Sequence, residues 1–364
     1  MSILASPAAG GAEMLVRNLS AEFVARGQAG HITFMSDAAG VGNPAGFEQE
    51  FLAGLGREGV SHELMGGSAF RNLIAGARAL RRSVRAYRPD LLHIHLARGL
   101  MCRSLSGLRV PTVYTHHNVT TNFPPPLFRW FDRYVDHYVA IGEACRRLLE
   151  KHVRRPITSI PNGVPASFSQ VGPRTQVKGD PFVLAVGNLN PKKDYPTLVE
   201  AAAETVQRLE AEGRSVRFAI AGEGPERGKI ESLIEARGLA GRFELIGARP
   251  DVAELMAEAD LLVNSSAHEG LPITLIEAAM SGLPAIASDV GGNAEVVRDG
   301  QSGFVVPPGR PDRLADRIVQ LLSDPALHRR FSEGAIGHSR RFTIAACAEA
   351  HLMLYEDVLA RARA

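Results

Sequence analysis

Asn264-Ser-Ser-Ala-His-Glu-Gly-Leu-Pro-Ile-Thr-Leu-Ile-Glu-Ala-Ala-Met-Ser-Gly282 follows the apolar run Leu261-Leu262-Val263 and precedes Leu283-Pro284 and a second short apolar run. The first run reads as a buried strand, Ser265 and Ser266 as its opening into a loop, and Pro272 as the first residue of a helix ending at Gly282. A helix start placed after a strand presents N–H groups the helix itself cannot pair, here those of Leu271, Ile273 and Thr274, since Pro272 has none. With the helix dipole they favour an anion such as a diphosphate. Glu269 before the helix and Glu277 one to two turns inside it bracket that position, so the two can reach the distal and proximal ends of a phosphate-bearing ligand. A capped helix with one buried and one solvated Glu is the plain alternative for these residues taken alone.

Outward from this stretch the strand–loop–helix unit repeats. Phe182-Val-Leu-Ala-Val186 runs into Gly187-Asn188-Leu189-Asn190-Pro191-Lys192-Lys193, with a helix from about Tyr195 to Glu210. Phe218-Ala-Ile-Ala ends at Gly222, Phe243-Glu-Leu-Ile at Gly247-Ala248-Arg249-Pro250, and Pro284-Ala-Ile-Ala-Ser288 at Gly291-Gly292. Lysine in such a loop commonly meets phosphate. Strands and helices alternating every 30 residues or so, as roughly expected for βαβ units, predict an α/β fold with a doubly wound parallel sheet.

The N-terminal half shows the same order. Met1 to Ala5 is a short strand, Gly10-Gly11 opens a helix carrying Leu15, Leu19 and Phe23, and His31 to Met35 is a second strand. The glycine pair suits either a tight turn or close approach to a phosphate. A helix with Leu73, Ile74, Ala77, Leu80 and Val84 on one side bears Arg71, Arg78, Arg81, Arg82, Arg85 and Arg88, either a solvated face or a surface-binding one. Pro89 to His95 is a strand ending in His93 and His95, which period two puts on one face. Val110 to Asn118 repeats this with His116 and His117. A lone His is most often a core residue, but a pair at the C-terminal end of a parallel strand, where open α/β sheets place ligands, reads as a cleft feature. No cysteine or acidic set accompanies these histidines, so no metal site is proposed.

A chain of 364 residues exceeds one ordinary hydrophobic core, so two domains are expected. The polar, aperiodic stretch Ala166–Asp180 divides them into 1–165 and 166–342, with a last helix in 343–364 carrying Leu352, Tyr355, Val358 and Leu359 on one side. No apolar run reaches the roughly 18 residues of a spanning helix and no signal peptide is visible, which predicts a cytoplasmic protein. Cys102, Cys145 and Cys347 lack C-x-x-C spacing and read as buried thiols. Residues 1–165 carry 19 Lys+Arg against 12 Asp+Glu, a net +7, while residues 166–364 carry 22 against 27, a net −5. A basic half suggests an anionic surface or substrate; without a helix-turn-helix, zinc or aromatic-basic platform, nucleic acid is not expected.

Glu269-x7-Glu277 with Gly270, then Glu277-Ala-Ala-Met-Ser-Gly-Leu-Pro284, resembles the signature of the retaining family 4 glycosyltransferases. Gly10-Gly11-Ala12-Glu13, the His-bearing strand ends, Pro161-Asn162-Gly163-Val164 and Lys193 resemble other motifs of that family, in the same order. The resemblance implies two Rossmann-like domains facing across a cleft (GT-B), the last helix crossing back to the first domain, and transfer of a sugar from a nucleotide sugar to a hydroxyl with retention at the anomeric carbon. UDP is the expected carrier by family frequency. Carried over residue by residue, Lys193 and the helix start at Gly270, Leu271, Pro272, Ile273 and Thr274 meet the diphosphate, and Glu277 accepts ribose hydroxyls. Glu269 binds the sugar, Arg249 flanks the base, Gly10 and Gly11 approach the diphosphate, and His117 contacts the sugar. Lys193, Glu269 and His117 are thus the catalytic candidates; His93, His95 and His117 form the acceptor side. Asn188 stands where the family has Arg and is expected to bind the donor by donating its amide to a phosphate oxygen. No cofactor or essential metal is expected, because lysine and backbone dipoles meet the charge. The acceptor is expected to be a glycan or lipid-linked sugar of cell-surface polysaccharide or lipopolysaccharide assembly, approached at the inner face of an anionic membrane through the basic first domain. Two alternatives share the architecture or the pocket: a sugar-nucleotide 2-epimerase, which needs paired acid/base carboxylates, and a non-catalytic sugar-nucleotide binder.

Overall fold

The computed structural model describes residues 1–363 apart from 9, 40–44, 122, 170, 171 and 175. The chain divides into two compact units, Met1–Gly163 with Thr343–Ala364, and Val164–Phe342.

In the first unit the strands are β1 (Ser2–Leu4), β2 (His31–Phe34), β3 (Ser61–Leu64), β4 (Leu92–Ile94), β5 (Thr112–His116), β6 (His137–Ala140) and β7 (Ile157–Ser159). They form one sheet in the order β3-β2-β1-β4-β5-β6-β7, and every neighbouring pair is parallel. β1 pairs with both β2 and β4, so consecutive crossovers leave it in opposite directions and the loops after β1 and β4 diverge. That divergence is where a parallel sheet admits a ligand. The edge strands β3 and β7 escape the sequence pattern because their outer sides are solvated: β3 reads Ser-His-Glu-Leu and is largely exposed. Backbone pairing from His31↔Ser61 to Phe34↔Leu64 makes it a strand without an apolar face.

The basic helix spans Leu73–Tyr87. The Asn72 side chain caps it, accepting from Ile74 N (2.9 Å) and Ala75 N (3.1 Å). Ala77, Leu80 and Val84 are buried, while Arg78, Arg81, Arg82 and Arg85 are exposed. The last helix, Ile344–Arg363, belongs to this unit and packs on helix Gly11–Ala25. Its buried stripe is Ile344, Cys347, Ala348, His351, Leu354 and Val358; of the expected face Val358 is buried and Tyr355 bonds His93, while Leu352 and Leu359 lie at its margin. All three cysteines are buried free thiols.

The second unit contains β8 (Phe182–Val186), β9 (Arg217–Ala221), β10 (Phe243–Gly247), β11 (Leu261–Asn264), β12 (Ala285–Ser288) and β13 (Gly303–Val306). They are all parallel, in the order β10-β9-β8-β11-β12-β13. Here the loops diverge after β8 and β11, the loops that carry Lys193 and Glu269. Val183, Ala185, Leu261, Val263 and Ile286 point into a core covered by Leu198, Val199, Ile318 and Phe331. The stretch expected as a linker is described except for 170, 171 and 175. It lies against this unit: Arg174, whose side chain is largely buried, donates through Nη1 to Ala257 O (3.2 Å) and through Nη2 to Met256 O (2.5 Å), closing the C-terminal end of helix Val252–Glu258.

Candidate functional site

The helix after β11 spans Ile273–Met280, and Pro272 is its extended N-cap rather than its first residue. A proline cannot donate in either place, so the shift costs no hydrogen bond. The C-terminal end forms as the sequence suggests. Gly282 takes φ +61°, Gly282 N donates to Ala279 O (3.1 Å) and Leu283 N to Ala278 O (2.8 Å), the paired bonds of a Schellman end. Leu271 is buried and engaged in a contact of its own, which corrects its place among the open donors. Ile273 N and Thr274 N remain as first-turn donors without a partner among the described residues.

Glu269 is held at the mouth of β11. Its Oε1 accepts from Lys193 Nζ (2.6 Å), Ser266 Oγ (2.7 Å) and Asn264 Nδ2 (3.2 Å). The Lys193 side chain is 20% exposed and that of Glu269 10%, so the pair is shielded yet reachable. The sequence assigns these residues to different parts of a ligand; in the structure they bind each other. The lysine loop is docked on the glutamate loop through its backbone: Ser265 Oγ donates to Lys193 O (3.0 Å) and Ala267 N to Lys192 O (2.8 Å). Asp194, at φ +46°, turns the chain from this loop into helix Tyr195–Ala211.

Glycines let the loops approach. At Gly291, φ is +55° and a Cβ would overlap Glu269 O. At Gly222 a Cβ would overlap Gly187 O, so the turns after β8 and β9 touch backbone to backbone. Gly292 N donates to Gly270 O (2.7 Å), fixing the loop between Glu269 and the helix.

Glu277 lies inside the helix with no hydrogen-bond or ion-pair partner for its carboxylate among the described residues; burial pushes it up to about 7. Asn188 is exposed at the end of β8. Arg249 is not brought into this group. It forms a two-pronged pair with Asp251, its Nε 2.7 Å from Oδ1, and lines a groove of about 200 Å³ with Phe182, Arg217 and Leu255.

In the first unit Gly11 opens helix Gly11–Ala25 and Gly10 is its N-cap, with an ordinary φ of −80°. A Cβ on Gly10 would overlap the Glu13 carboxylate, so the missing side chain makes room for an acid at the helix start, and burial raises that acid's pKa. Ala9, beside it in the glycine loop, lies outside the described residues.

His93 and His95 share a face, with ring centroids 4.0 Å apart. Both nitrogens of His93 are taken, Nδ1 by Tyr355 Oη (2.5 Å) and Nε2 by Thr115 Oγ1 (2.6 Å). It is a core histidine and offers no atom to an acceptor, which corrects its acceptor-side assignment: period two gives the face but not the depth. His95 Nδ1 and His117 Nε2 are 3.0 Å apart, within hydrogen-bond distance. His117 is partly exposed, and His351 of the last helix completes the cluster, 5.4 Å from the His93 ring. No group of three or more His, Cys, Asp or Glu side chains able to hold a metal occurs among the described residues. The residues the sequence misses are neutral: Asn264, Ser266 and Asn293. Amides and hydroxyls at strand ends look like any loop residue, and only the presence of Asn264 where an apolar strand ends gave a signal.

Two parallel-sheet Rossmann-like domains with a lysine–glutamate pair at a β-to-helix turn define the GT-B class of transferase. Residues 9–168 match Glycosyltransferase Family 4 and residues 171–338 match Glycosyl transferases group 1. D-inositol 3-phosphate glycosyltransferase of Nocardia farcinica is 30% identical over 304 residues, 74% of this chain and 67% of that protein. Alpha-D-kanosaminyltransferase of Streptomyces kanamyceticus is 34% identical over 181 residues, 49% of this chain. The chain spans only 46% of that relative's length, and 24% of an exopolysaccharide phosphotransferase of Streptomyces coelicolor. The structure of Anabaena HepE in complex with UDP-glucose superposes with TM-score 0.82 at 22% identity, over 98% of this chain and 100% of that one. The chain belongs to the family 4 glycosyltransferases.

Proposed function

We propose that this chain is a retaining glycosyltransferase that moves a sugar from a UDP-linked donor to a hydroxyl of a glycan or lipid-linked acceptor in cell-surface polysaccharide or lipopolysaccharide assembly. The observation that carries the proposal is the Lys193–Glu269 pair set against the open helix start at Ile273 and Thr274, with the unpartnered Glu277 carboxyl inside the same helix. UDP-glucose in the HepE complex supports a UDP carrier. On donor binding Lys193 exchanges Glu269 for diphosphate oxygens, and the two first-turn N–H groups add their donors. Glu277 as carboxylate accepts the ribose hydroxyls. Glu269, released from Lys193, accepts sugar hydroxyls and shares positive charge that develops at the anomeric carbon. His117 is assigned to the sugar from the first unit.

The bond from the anomeric carbon to the leaving phosphate oxygen breaks, the bond to the acceptor oxygen forms on the same face, and the acceptor proton passes to the departing phosphate. No protein base and no metal is required in this scheme. A 2-epimerase needs two carboxyls acting as acid and base on one sugar; Glu277 lies within the helix and is assigned to the ribose, which leaves Glu269 alone at the sugar and favours transfer. A donor found by thermal shift among nucleotide sugars tests the proposal. Proton NMR of the first-formed product with that donor is expected to show the donor's anomeric configuration; inversion would remove the mechanism.

The basic helix supports acceptor access at an anionic membrane. Among the described residues Arg71, Arg78, Arg81, Arg82, Arg85 and Arg88 have no carboxylate partner. Ile74, one turn before Arg78, is 59% exposed, and Leu105 on the neighbouring helix Ala97–Leu105 is 54% exposed. No helix among the described residues is long and apolar enough to cross a membrane. Each arginine near an anionic surface contributes about 1 kcal/mol, so three or four give salt-sensitive docking. Vesicle co-sedimentation is expected to favour anionic over neutral lipid at low salt and to lose that preference at high salt; equal binding to both at low salt would point to a soluble acceptor.

A further inference from the structure

The geometry points to Asn293 and Asn264 as a buried amide relay that positions Glu269, a role that rests on the proposed place of Glu269 at the donor sugar. Both amides are oriented by backbone groups that can act in only one sense. Asn264 Oδ1 accepts from Ser266 N (3.2 Å), and an N–H only donates. Asn293 Nδ2 donates to Ser288 O (2.8 Å), and a carbonyl only accepts. The orientations are therefore fixed without any choice between amide oxygen and nitrogen. With Asn293 Nδ2 turned this way it also donates to Asn264 Oδ1 (3.3 Å), and Asn264 Nδ2 is left facing Glu269 Oε1 (3.2 Å).

Asn293 is wholly buried and Asn264 nearly so, so neither amide exchanges its partners for water at low cost. The Asn293 Oδ1 has no partner among the described residues. A buried amide with an unpaired acceptor is less stable than an apolar side chain of its size, so its donor end is what the fold retains it for. The backbone reinforces the relay. Asn293 follows Gly291 and Gly292, whose lack of side chains lets their backbone rest on Glu269 O and Gly270 O. One loop after β12 thus holds the Glu269 loop by its main chain and, through Asn264, the carboxylate oxygen that also takes Lys193. When the donor draws Lys193 away, Asn264 and Ser266 are the contacts that keep Glu269 Oε1 in place. A misplacement of about 1 Å at such a group can cost up to 10²-fold in rate.

The test compares Asn293→Ala, Asn264→Asp and Glu269→Gln, each checked for an unchanged thermal melt, using UDP for binding and the preferred nucleotide sugar for turnover. Asn264→Asp keeps the acceptor for Ser266 N but sets a second carboxylate against Glu269, and it stands in where Asn293→Ala fails to fold. UDP carries no sugar to meet Glu269, so Asn293→Ala is expected to bind UDP within about twofold of wild type, and Asn264→Asp, whose added carboxylate stands beside Lys193 and Glu269, to lose several-fold less in UDP affinity than in turnover. Their kcat is expected to fall about 10- to 100-fold, with Asn264→Asp the lower. A merely structural defect in the unit would move UDP affinity as well, so weakened UDP binding in step with turnover overturns the relay. Wild-type turnover in both asparagine variants, with Glu269→Gln inactive, overturns the relay and leaves the site assignment standing. Wild-type turnover in Glu269→Gln overturns both.

Discussion

Glu269→Gln and Lys193→Ala each lower sugar transfer by about 10²-fold or more while the protein stays folded, since each removes a fixed charge where charge develops. Glu269→Gln keeps the shape and the bond from Ser266 Oγ, but it loses the negative charge that supports a positive anomeric carbon. Lys193→Ala removes the cation that meets the leaving diphosphate and frees Glu269 from its 2.6 Å partner. The pair also makes a prediction about combining the changes. Because the two side chains contact each other, their effects are not independent. Part of the loss in Lys193→Ala comes from an unpaired Glu269 repelling the donor phosphates, and neutralising Glu269 removes that part. The double variant is therefore expected to lose less than the product of the two single losses. Steady-state turnover of the four proteins with one donor measures this; near wild-type rates in either single variant would sink the assignment, and strictly multiplicative losses would show that the two charges do not act on each other.

Much of the fold was legible because buried parallel strands read as short apolar runs and the helices between them as 3.6-period stripes. β8, β9, β11 and β12 are such runs, and Gly282 marked the helix end because only glycine takes φ +61° there without strain. β3 and β7 were not legible, because these edge strands are held by backbone pairing and need no apolar face, and β13, a four-residue run Gly303–Val306 with Phe304 and Val306 in the core, is too short to stand out between loops. In the site, the charged members could be read, since lysine and glutamate in loops after strands have few structural uses. Asn264 and Asn293 could not be joined, being 29 residues apart in sequence and alike in type to any turn residue. The stripe of the last helix was legible in part: Val358 and Tyr355 turn inward as expected, but apolarity pointed to Leu352 and Leu359, whereas the buried face continues through His351 and Leu354.

That inward histidine sets the pH range over which the first unit holds together. His93, His95, His117 and His351 are packed ring to ring. Burial holds all four below the ordinary imidazole value, His351 at about 4 and His117 at about 3, with mutual repulsion of the cationic forms adding to the shift at His93, His95 and His117. In the unfolded chain each takes a proton near pH 6.5. The unfolded state therefore binds more protons below that value, and the stability of the fold, complete above about 6.5, falls as pH drops from there toward 4. Each imidazole contributes about 1.4 kcal/mol at one unit below its unfolded value, so four taken as additive remove on the order of 5 kcal/mol near pH 5.5. A domain is stable by only about 5–15 kcal/mol, so this decides whether it stays folded. Glu13, raised by burial in the same unit, acts in the opposite sense, while His31, His116 and His137, also held below the ordinary imidazole value by burial, act with the four. Trp130, the sole tryptophan, lies in the first unit and reports its unfolding separately from the second. Urea unfolding followed by its fluorescence is expected to show the midpoint falling steeply between pH 7 and 5, and His351→Leu is expected to flatten that slope by about a seventh, as expected of one of seven linked imidazoles. A midpoint indifferent to pH over this range would mean that the cluster admits protons at little cost, and the last helix would then be held by its apolar stripe alone.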